Sequence, residues 1–187
     1  MRIPSLGGEV FRRAGGVPVT MQVSEVFTAL QTGALDATEF VSPYNDLAAG
    51  YHTVADYYYY PGWHEPGSTL ETIFNKEKFE SLPPDLQEIL MAGTEVMNQL
   101  LLDELTARNN EALTALVDLH DVQIRRLPDD VLIELRRISD EVTAELAQED
   151  DSTARVYESW KNFKDAVINY NGIAEEAFIE ARKLSAD

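Results

Sequence analysis

The sequence contains no cysteine, and that absence removes several kinds of chemistry. A chain without Cys has no disulfides, no thiolate nucleophile and no Cys-ligated zinc or iron–sulfur site. No apolar run approaches the roughly 20 residues that a transmembrane helix needs, so membrane insertion is not expected. The glycine patterns of nucleotide-binding loops, the HExxH pattern of zinc proteases and the GxSxG pattern of serine hydrolases are also missing.

Basic residues are scarce as well. The chain has 187 residues, of which 15 are Lys or Arg and 33 are Asp or Glu, giving a formal net charge of −18. This charge argues against nucleic acid as a partner, which requires a basic face, and against an anionic membrane surface. Hydrophobic residues at 44% are sufficient for a folded core.

The first 75 residues alternate between short strand and short helix patterns, which is typical of an α/β layer structure. The strands predicted here are Met1–Pro4, Pro18–Met21, Ala37–Val41, Thr53–Tyr60 and Ser68–Asn75. A turn at Gly7-Gly8 should precede a helix over Glu9–Ala14, Ser24 should cap a helix over Glu25–Thr32, and Ser42-Pro43 should open a helix over Tyr44–Ala49.

A longer helical pattern begins at Pro84 and continues for about 35 residues, a length of about 50 Å. Such a helix is longer than a small domain is wide, so it should cross between two bodies or reach a partner. The pattern beyond it predicts a strand over Val122–Leu127, helices over 128–148 and Asp151–Tyr170, and, after a break at Gly172, a last helix to Leu184.

Three charged side chains are candidates for a binding site on local grounds. Glu39 lies between apolar neighbours in a predicted strand, where it must face solvent, pair with a cation or bind a ligand. Glu65 lies in a loop braced by proline on both sides, which is either a rigid polar site or an exposed hinge. Arg2 is either a ligand-binding cation or a frayed terminal charge, and the three histidines are scattered.

Several long segments resemble the solute-binding proteins of tripartite ATP-independent periplasmic (TRAP) transporters, in particular the branch that binds pyruvate-like and lactate-like monocarboxylates. The segments are MRIPSLGGEVFRRAGGVPV, EVFTALQTGALDATEFVSPYNDLAAGYH, YYYYPGWHEPG and DLHDVQIRRLPDDVL. The resemblance implies a non-enzymatic receptor with two α/β domains, a cleft between them and a long helix that crosses both. It assigns 1–83 to the second ligand-binding lobe, 84–120 to the hinge-spanning helix, 121–150 to a strand and helix completing the lobes, and 151–187 to C-terminal helices.

The resemblance also implies roles for individual residues. Arg2 matches the arginine that pairs with the ligand carboxylate, and a guanidinium fork suits a planar carboxylate. Glu39 matches the acid that holds a sodium or calcium ion bridging to the ligand, together with the backbone carbonyl of Phe40, where the branch usually has Trp. Glu65 is a further candidate for the cation shell, and the pocket wall is predicted to include Phe40, Tyr44, Asn45 and Trp63.

Members of the family normally begin with a signal peptide and a first domain of well over a hundred residues. Because residue 2 already matches the ligand-pairing arginine, we expect this chain to be the C-terminal half, either as a fragment or from a reading frame that lacks its front half. The resemblance implies a periplasmic location, TRAP membrane subunits as partners, and a homodimer that exchanges the C-terminal helix, here Val156–Leu184.

Two other interpretations remain open at this stage. The chain could be a truncated product that folds and dimerises without binding a solute. It could also be an enzyme acting on a keto acid, with Arg2 as the carboxylate clamp and Glu39 and Glu65 as a metal pair. The enzyme hypothesis lacks a convincing general base or nucleophile.

Overall fold

Residues 1–67 and 71–184 are described by the computed structural model of this chain. Within these ranges it forms eight α-helices and two β-strands, in the order α1 Ser5–Arg13, α2 Val23–Gln31, α3 Pro43–Ala48, β1 Tyr57–Tyr60, α4 Lys76–Glu80, α5 Pro84–Asp118, β2 Gln123–Arg126, α6 Asp129–Leu146, α7 Asp151–Ile173 and α8 Glu175–Ala181. A 3-10 turn, Tyr51–Thr53, follows α3. Within the described ranges, no helix combines the length and the apolar character that crossing a membrane requires.

Three extended segments meet at Arg2. This residue forms isolated parallel bridges with Val19 and with Thr38. Backbone hydrogen bonds fix the arrangement, because Val19 N donates to the Met1 carbonyl at 2.9 Å and Glu39 N donates to the Arg2 carbonyl at 3.2 Å. The bridges therefore place Arg2 beside Glu39, although 37 positions separate them along the chain.

The strands predicted over Met1–Pro4, Pro18–Met21 and Ala37–Val41 are thus too long, since each is reduced to a bridge around one residue. Proline explains why two of these three strands are short. Pro4 and Pro18 have no N–H to donate, so a ladder cannot continue through either position.

Helix α1 begins earlier than predicted. It starts at Ser5 and includes Gly7 and Gly8, which were expected to form a turn. A Cβ at Gly8 would lie 2.6 Å from the carbonyl oxygen of Ile3, so the glycine permits the helix to pack closely on the preceding extended segment.

The core of the first seventy residues is built around α2. Val26, Ala29, Leu35 and Tyr51 are buried together, with partly buried neighbours packed against them: Val19, Met21, Phe27, Leu30 and Phe40. The helix begins at Val23, with Gln22 in place of Ser24 as the residue preceding it. It ends as predicted before Gly33, which has a positive φ of 73°.

The two strands pair in parallel, with Tyr57 opposite Gln123 and Tyr60 opposite Arg126. The prediction of a strand over Thr53–Tyr60 is correct only for its second half, because the chain first forms the 3-10 turn. Of the predicted strand Ser68–Asn75, residues 68–70 lie outside the described residues, and residues 71–75 are not a strand.

Helix α5 confirms the long helix predicted from Pro84. Its 35 residues span about 52 Å, and only Ala112 and Leu116 are buried. Its described contacts with α3 include a hydrogen bond from the backbone N–H of Tyr44 to Asn109 Oδ1 at 3.0 Å.

The chain divides into two compact units, Met1–Leu135 and a second unit that begins at Arg136. In the second unit, the Asp150 carboxylate caps α7 by accepting hydrogen bonds from Ser152 N at 2.7 Å and Thr153 N at 3.0 Å. The predicted break at Gly172 is wrong by two residues. Helix α7 continues to Ile173, and the chain turns at Ala174, where ψ is −97°.

Candidate ligand-binding site

Arg2 and Glu39 form a partly buried ion pair. Arg2 Nη1 donates a hydrogen bond to Glu39 Oε1, and Arg2 Nε lies 3.5 Å from the carbonyl oxygen of Met21. The side chains are only 14% and 15% exposed, respectively. The pair therefore offers a guanidinium and a carboxylate side by side in a place largely shielded from water, where an unpaired charge would be costly.

A cavity of about 330 Å³ opens next to this pair. The first turn of α1 forms one wall, and the other lining residues come from the bridge segment and from the loop after β1. The lining consists of Pro4, Ser5, Leu6, Gly7, Glu39, His64 and Glu65. Backbone N–H groups in the first turn of a helix have no partner inside the helix, so this wall suits an anionic group.

His64 faces the second oxygen of the same carboxylate. Its Nε2 atom lies 3.7 Å from Glu39 Oε2. Its Nδ1 atom is buried and has no hydrogen-bond partner among the described residues. The ring packs beside Trp63, with the two ring centroids 5.0 Å apart. Sequence reasoning missed this histidine, although its position between two predicted site residues was a usable signal.

The other predicted wall residues lie around α3. Phe40 meets Tyr51 edge to face, with ring centroids 5.1 Å apart, so its side chain belongs to the core cluster around α2. Asn45 Oδ1 accepts a hydrogen bond from Ser42 Oγ at 2.9 Å. Tyr44 is held to α5 through its backbone N–H, as described above.

Helix α3 also carries a buried carboxylate, Asp46. Asp46 is 8% exposed, and its Oδ2 accepts a hydrogen bond from the Tyr58 hydroxyl at 2.5 Å. Burial raises the pKa of Asp46, and the hydrogen bond from Tyr58 only partly opposes that shift. Burial also raises the pKa of Tyr58, and the nearby Asp46 adds to the effect. Neither residue was among the site candidates predicted from the sequence.

Of the predicted site residues, Glu39 and Glu65 line the cavity, while Arg2 is paired with Glu39 and Trp63 packs beside His64. The lining does not include Arg2, Trp63, Phe40, Tyr44 or Asn45. Glu39 and Glu65 carry the hard oxygen donors that sodium and calcium prefer. Among the described residues, no three His, Asp or Glu side chains converge as a complete metal site.

Comparison with known proteins identifies the family of the chain. The family described as bacterial extracellular solute-binding protein, family 7 (DctP) matches residues 1–150. The chain belongs to the DctP family. Membership confirms the predicted kinship with TRAP solute-binding proteins and the prediction of a binding protein in place of an enzyme.

One DctP relative is the monocarboxylate 2-oxoacid-binding periplasmic protein of Nostoc sp. strain PCC 7120, which is 36% identical over 178 residues, 95% of this chain and 49% of that protein. A TRAP solute-binding protein from Pseudoalteromonas atlantica, solved with bound sodium and pyruvate, is 35% identical with a TM-score of 0.90, over 99% of this chain and 56% of that one. A second solute-binding protein, from Colwellia psychrerythraea, was solved with bound calcium and pyruvate. It is 33% identical with a TM-score of 0.90, and the match covers 97% of this chain and 55% of that one.

The chain therefore spans about half the length of the DctP relatives it matches. The structural similarity confirms the predicted fold class, a TRAP-receptor-type α/β fold of which this chain represents about half. The relatives' bound groups also match the predicted cofactors, sodium or calcium alongside a keto acid.

Proposed function

We propose that this chain forms part of a TRAP solute-binding protein that captures a small α-keto or α-hydroxy monocarboxylate, similar to pyruvate or lactate, with a bridging sodium or calcium ion. The observation that carries the proposal is the shielded Arg2–Glu39 pair at the edge of a cavity. One member of the pair suits the carboxylate of the acid, and the other suits the cation.

Arg2 has the geometry for the carboxylate end of the ligand. Its guanidinium presents five N–H donors in a fixed fork, and only Nη1 is engaged by Glu39. Nε is directed at the Met21 carbonyl, which leaves the two N–H groups of Nη2 and the second N–H of Nη1 for a charge-assisted pair with the acid. The first turn of α1 adds a second surface that favours negative charge.

Glu39, the backbone carbonyl of Phe40 and Glu65 would hold the cation. The cation would neutralise charge between Glu39 and the acid and orient the acid's second oxygen. Trp63 stands next to His64 in the loop that carries Glu65, and Tyr44 and Asn45 stand on α3, so these side chains would complete the pocket wall once the cleft closes.

The same proposal covers the setting of the chain. It acts in the periplasm, delivers its acid to TRAP membrane subunits, and divides functionally into a ligand-binding lobe over 1–83, a hinge-spanning helix over 84–120, a completing segment over 121–150 and C-terminal helices over 151–187. Exposed apolar side chains on α7, including Val156, Phe163 and Ile173, support a homodimer that exchanges Val156–Leu184.

Thermal unfolding with a matrix of acids and cations tests the proposal. Pyruvate, lactate and longer keto acids would each be added with sodium, with calcium and with a chelator. A ligand at 100 times its Kd stabilises the folded state by about 2.7 kcal/mol, which at this size raises Tm by roughly 5–10 °C. We expect Tm to rise only when acid and cation are both present. An unchanged Tm under every condition would favour a folded product that binds no solute.

A further inference from the structure

We propose that His64 is a positioning residue that fixes the Glu39 carboxylate for the cation, on the oxygen opposite to the one held by Arg2. The inference rests on the proposed function, because it concerns the same acid-and-cation site. It adds a residue that neither local sequence reasoning nor the resemblance to the family had placed there.

The two carboxylate oxygens of Glu39 have different neighbours. Oε1 accepts the hydrogen bond from Arg2 Nη1. Oε2 faces His64 Nε2 at 3.7 Å, a distance longer than a hydrogen bond and too short to hold a water between the two atoms. The carboxylate therefore has a hydrogen-bonded partner on Oε1 and an imidazole nitrogen within electrostatic range of Oε2, while the lone pairs of Oε2 remain available to a cation.

The histidine ring is held in place by packing. A Cβ at Gly7 would lie 3.3 Å from His64 Cδ2, so the ring rests directly against the backbone of α1. Trp63 packs on the ring from the loop side. These two contacts restrict the ring on the side of α1 and on the side of the loop, and its remaining face borders the cavity.

The geometry also selects a tautomer. A bare Nε2 lone pair facing a carboxylate oxygen would be repelled, whereas an Nε2–H group is attracted to it. The Nδ1 atom is buried and has no partner among the described residues, and a hydrogen there would leave an unsatisfied donor. His64 is therefore expected to carry its proton on Nε2, directed at Glu39.

Three substitutions at His64 separate positioning from simple space filling. In His64→Gln the amide nitrogen lies near the position of Nε2, in His64→Asn it lies near the position of Nδ1, and His64→Phe retains only the ring volume. The readout is the calcium Kd at saturating pyruvate, measured by calorimetry. His120→Asn is the matched control, because His120 is exposed and is stacked on His52 outside the cavity lining.

Residues that orient a metal ligand typically change metal affinity by about 10- to 100-fold when removed. We expect His64→Gln and His120→Asn to keep the calcium Kd within about threefold of wild type, and His64→Asn and His64→Phe to raise it about tenfold or more. Equal affinity in all the His64 variants, or a Gln variant as weak as the Phe variant, would overturn the positioning role.

A second measurement does not depend on the variants folding. Long-range 1H–15N correlation spectra of the ligand-free chain at about pH 8 report the histidine tautomer directly. An Nε2–H signal for His64 supports the inference, and an Nδ1–H signal overturns it. If the wild-type chain binds no pyruvate with calcium, the proposed function fails and the positioning role falls with it, whereas wild-type binding with unaffected variants removes only the role of His64.

Discussion

At the scale of single residues, the Arg2–Glu39 pair makes the binding surface ready before a ligand arrives. Both side chains are shielded, and each holds the other in position. A ligand carboxylate therefore meets a guanidinium whose orientation is already set, so less conformational freedom is lost on binding.

The first prediction concerns the geometry of the cationic group at position 2. Arg2→Lys keeps the positive charge but replaces a planar fork by a single ammonium group, so it loses the bidentate pairing. We expect the Kd for pyruvate in the presence of calcium to rise at least tenfold, and Arg2→Ala to abolish binding. Calorimetric titration checks this, and a Lys variant with wild-type affinity would show that Arg2 does not contact the acid.

Asp46 gives a prediction about pH. Its raised pKa means that the folded state binds a proton more tightly than the unfolded state does. The free energy of unfolding should therefore decrease as the pH rises above the ordinary pKa of an aspartate, because deprotonation then costs more in the fold. In Asp46→Asn this contribution is absent.

Urea unfolding of wild type and Asp46→Asn between about pH 3 and pH 7 measures the difference. We expect the stability of wild type relative to the variant to fall with rising pH. A relative stability that increases with pH would mean that the bond from Tyr58 outweighs burial and that the pKa of Asp46 is lowered.

The sequence could indicate Arg2, Glu39 and Glu65 because each lies in a segment that resembles a motif of TRAP solute-binding proteins. It could not indicate that Arg2 and Glu39 touch, because one backbone bridge sets that contact. His64 and Asp46 were missed for a related reason, since the burial of one polar atom depends on which remote elements pack over it.

At the scale of elements, the clearest mistakes occur where glycine and proline act through packing. Gly7-Gly8 was predicted to form a turn before a helix, yet both residues lie inside α1, where Gly8 lets the helix pack tightly on Ile3. The long helix α5 was predicted correctly because its start depends on a local signal, Pro84, and the structure places the acidic Asp85 in the same first turn.

Gly8→Ala tests the close approach of α1. In an open helix, Gly→Ala stabilises by about 0.5–1 kcal/mol, but here the new Cβ meets a backbone oxygen and forces a shift that costs about 1–3 kcal/mol. We expect a net loss in the free energy of unfolding. Gly93→Ala is the matched control, since Gly93 lies in α5 with no atom within 4 Å of the added Cβ, and it should stabilise the chain. A stabilising effect at both positions would contradict the packing described for Gly8.

At the scale of the whole molecule, many large apolar side chains are exposed on helices. In α5 they include Ile89, Val96 and Leu102, and in α7 they include Phe163 and Ile173. Large apolar side chains exposed on a helix suit a contact with another chain or domain. The proposed exchange of Val156–Leu184 would cover part of it in a dimer.

Light scattering coupled to size exclusion tests the dimer. We expect the wild-type chain to elute with twice the mass of one chain and Phe163→Asp to elute as a monomer, because a charge in a buried apolar contact is strongly unfavourable. Glu158→Gln, an exposed change on the same helix, should leave the mass unaltered. A monomeric wild-type chain would contradict the exchange of the C-terminal helix.

The central claim is that the acid and the cation meet between Arg2 and Glu39. The most direct measurement is a crystal structure of this chain grown with pyruvate and calcium, with the calcium located by its anomalous signal. The account predicts calcium bound to the Glu39 carboxylate and pyruvate with its carboxylate on the Arg2 guanidinium. Calcium and pyruvate bound at a different place, or an Arg2–Glu39 pair with neither group beside it, would contradict the account.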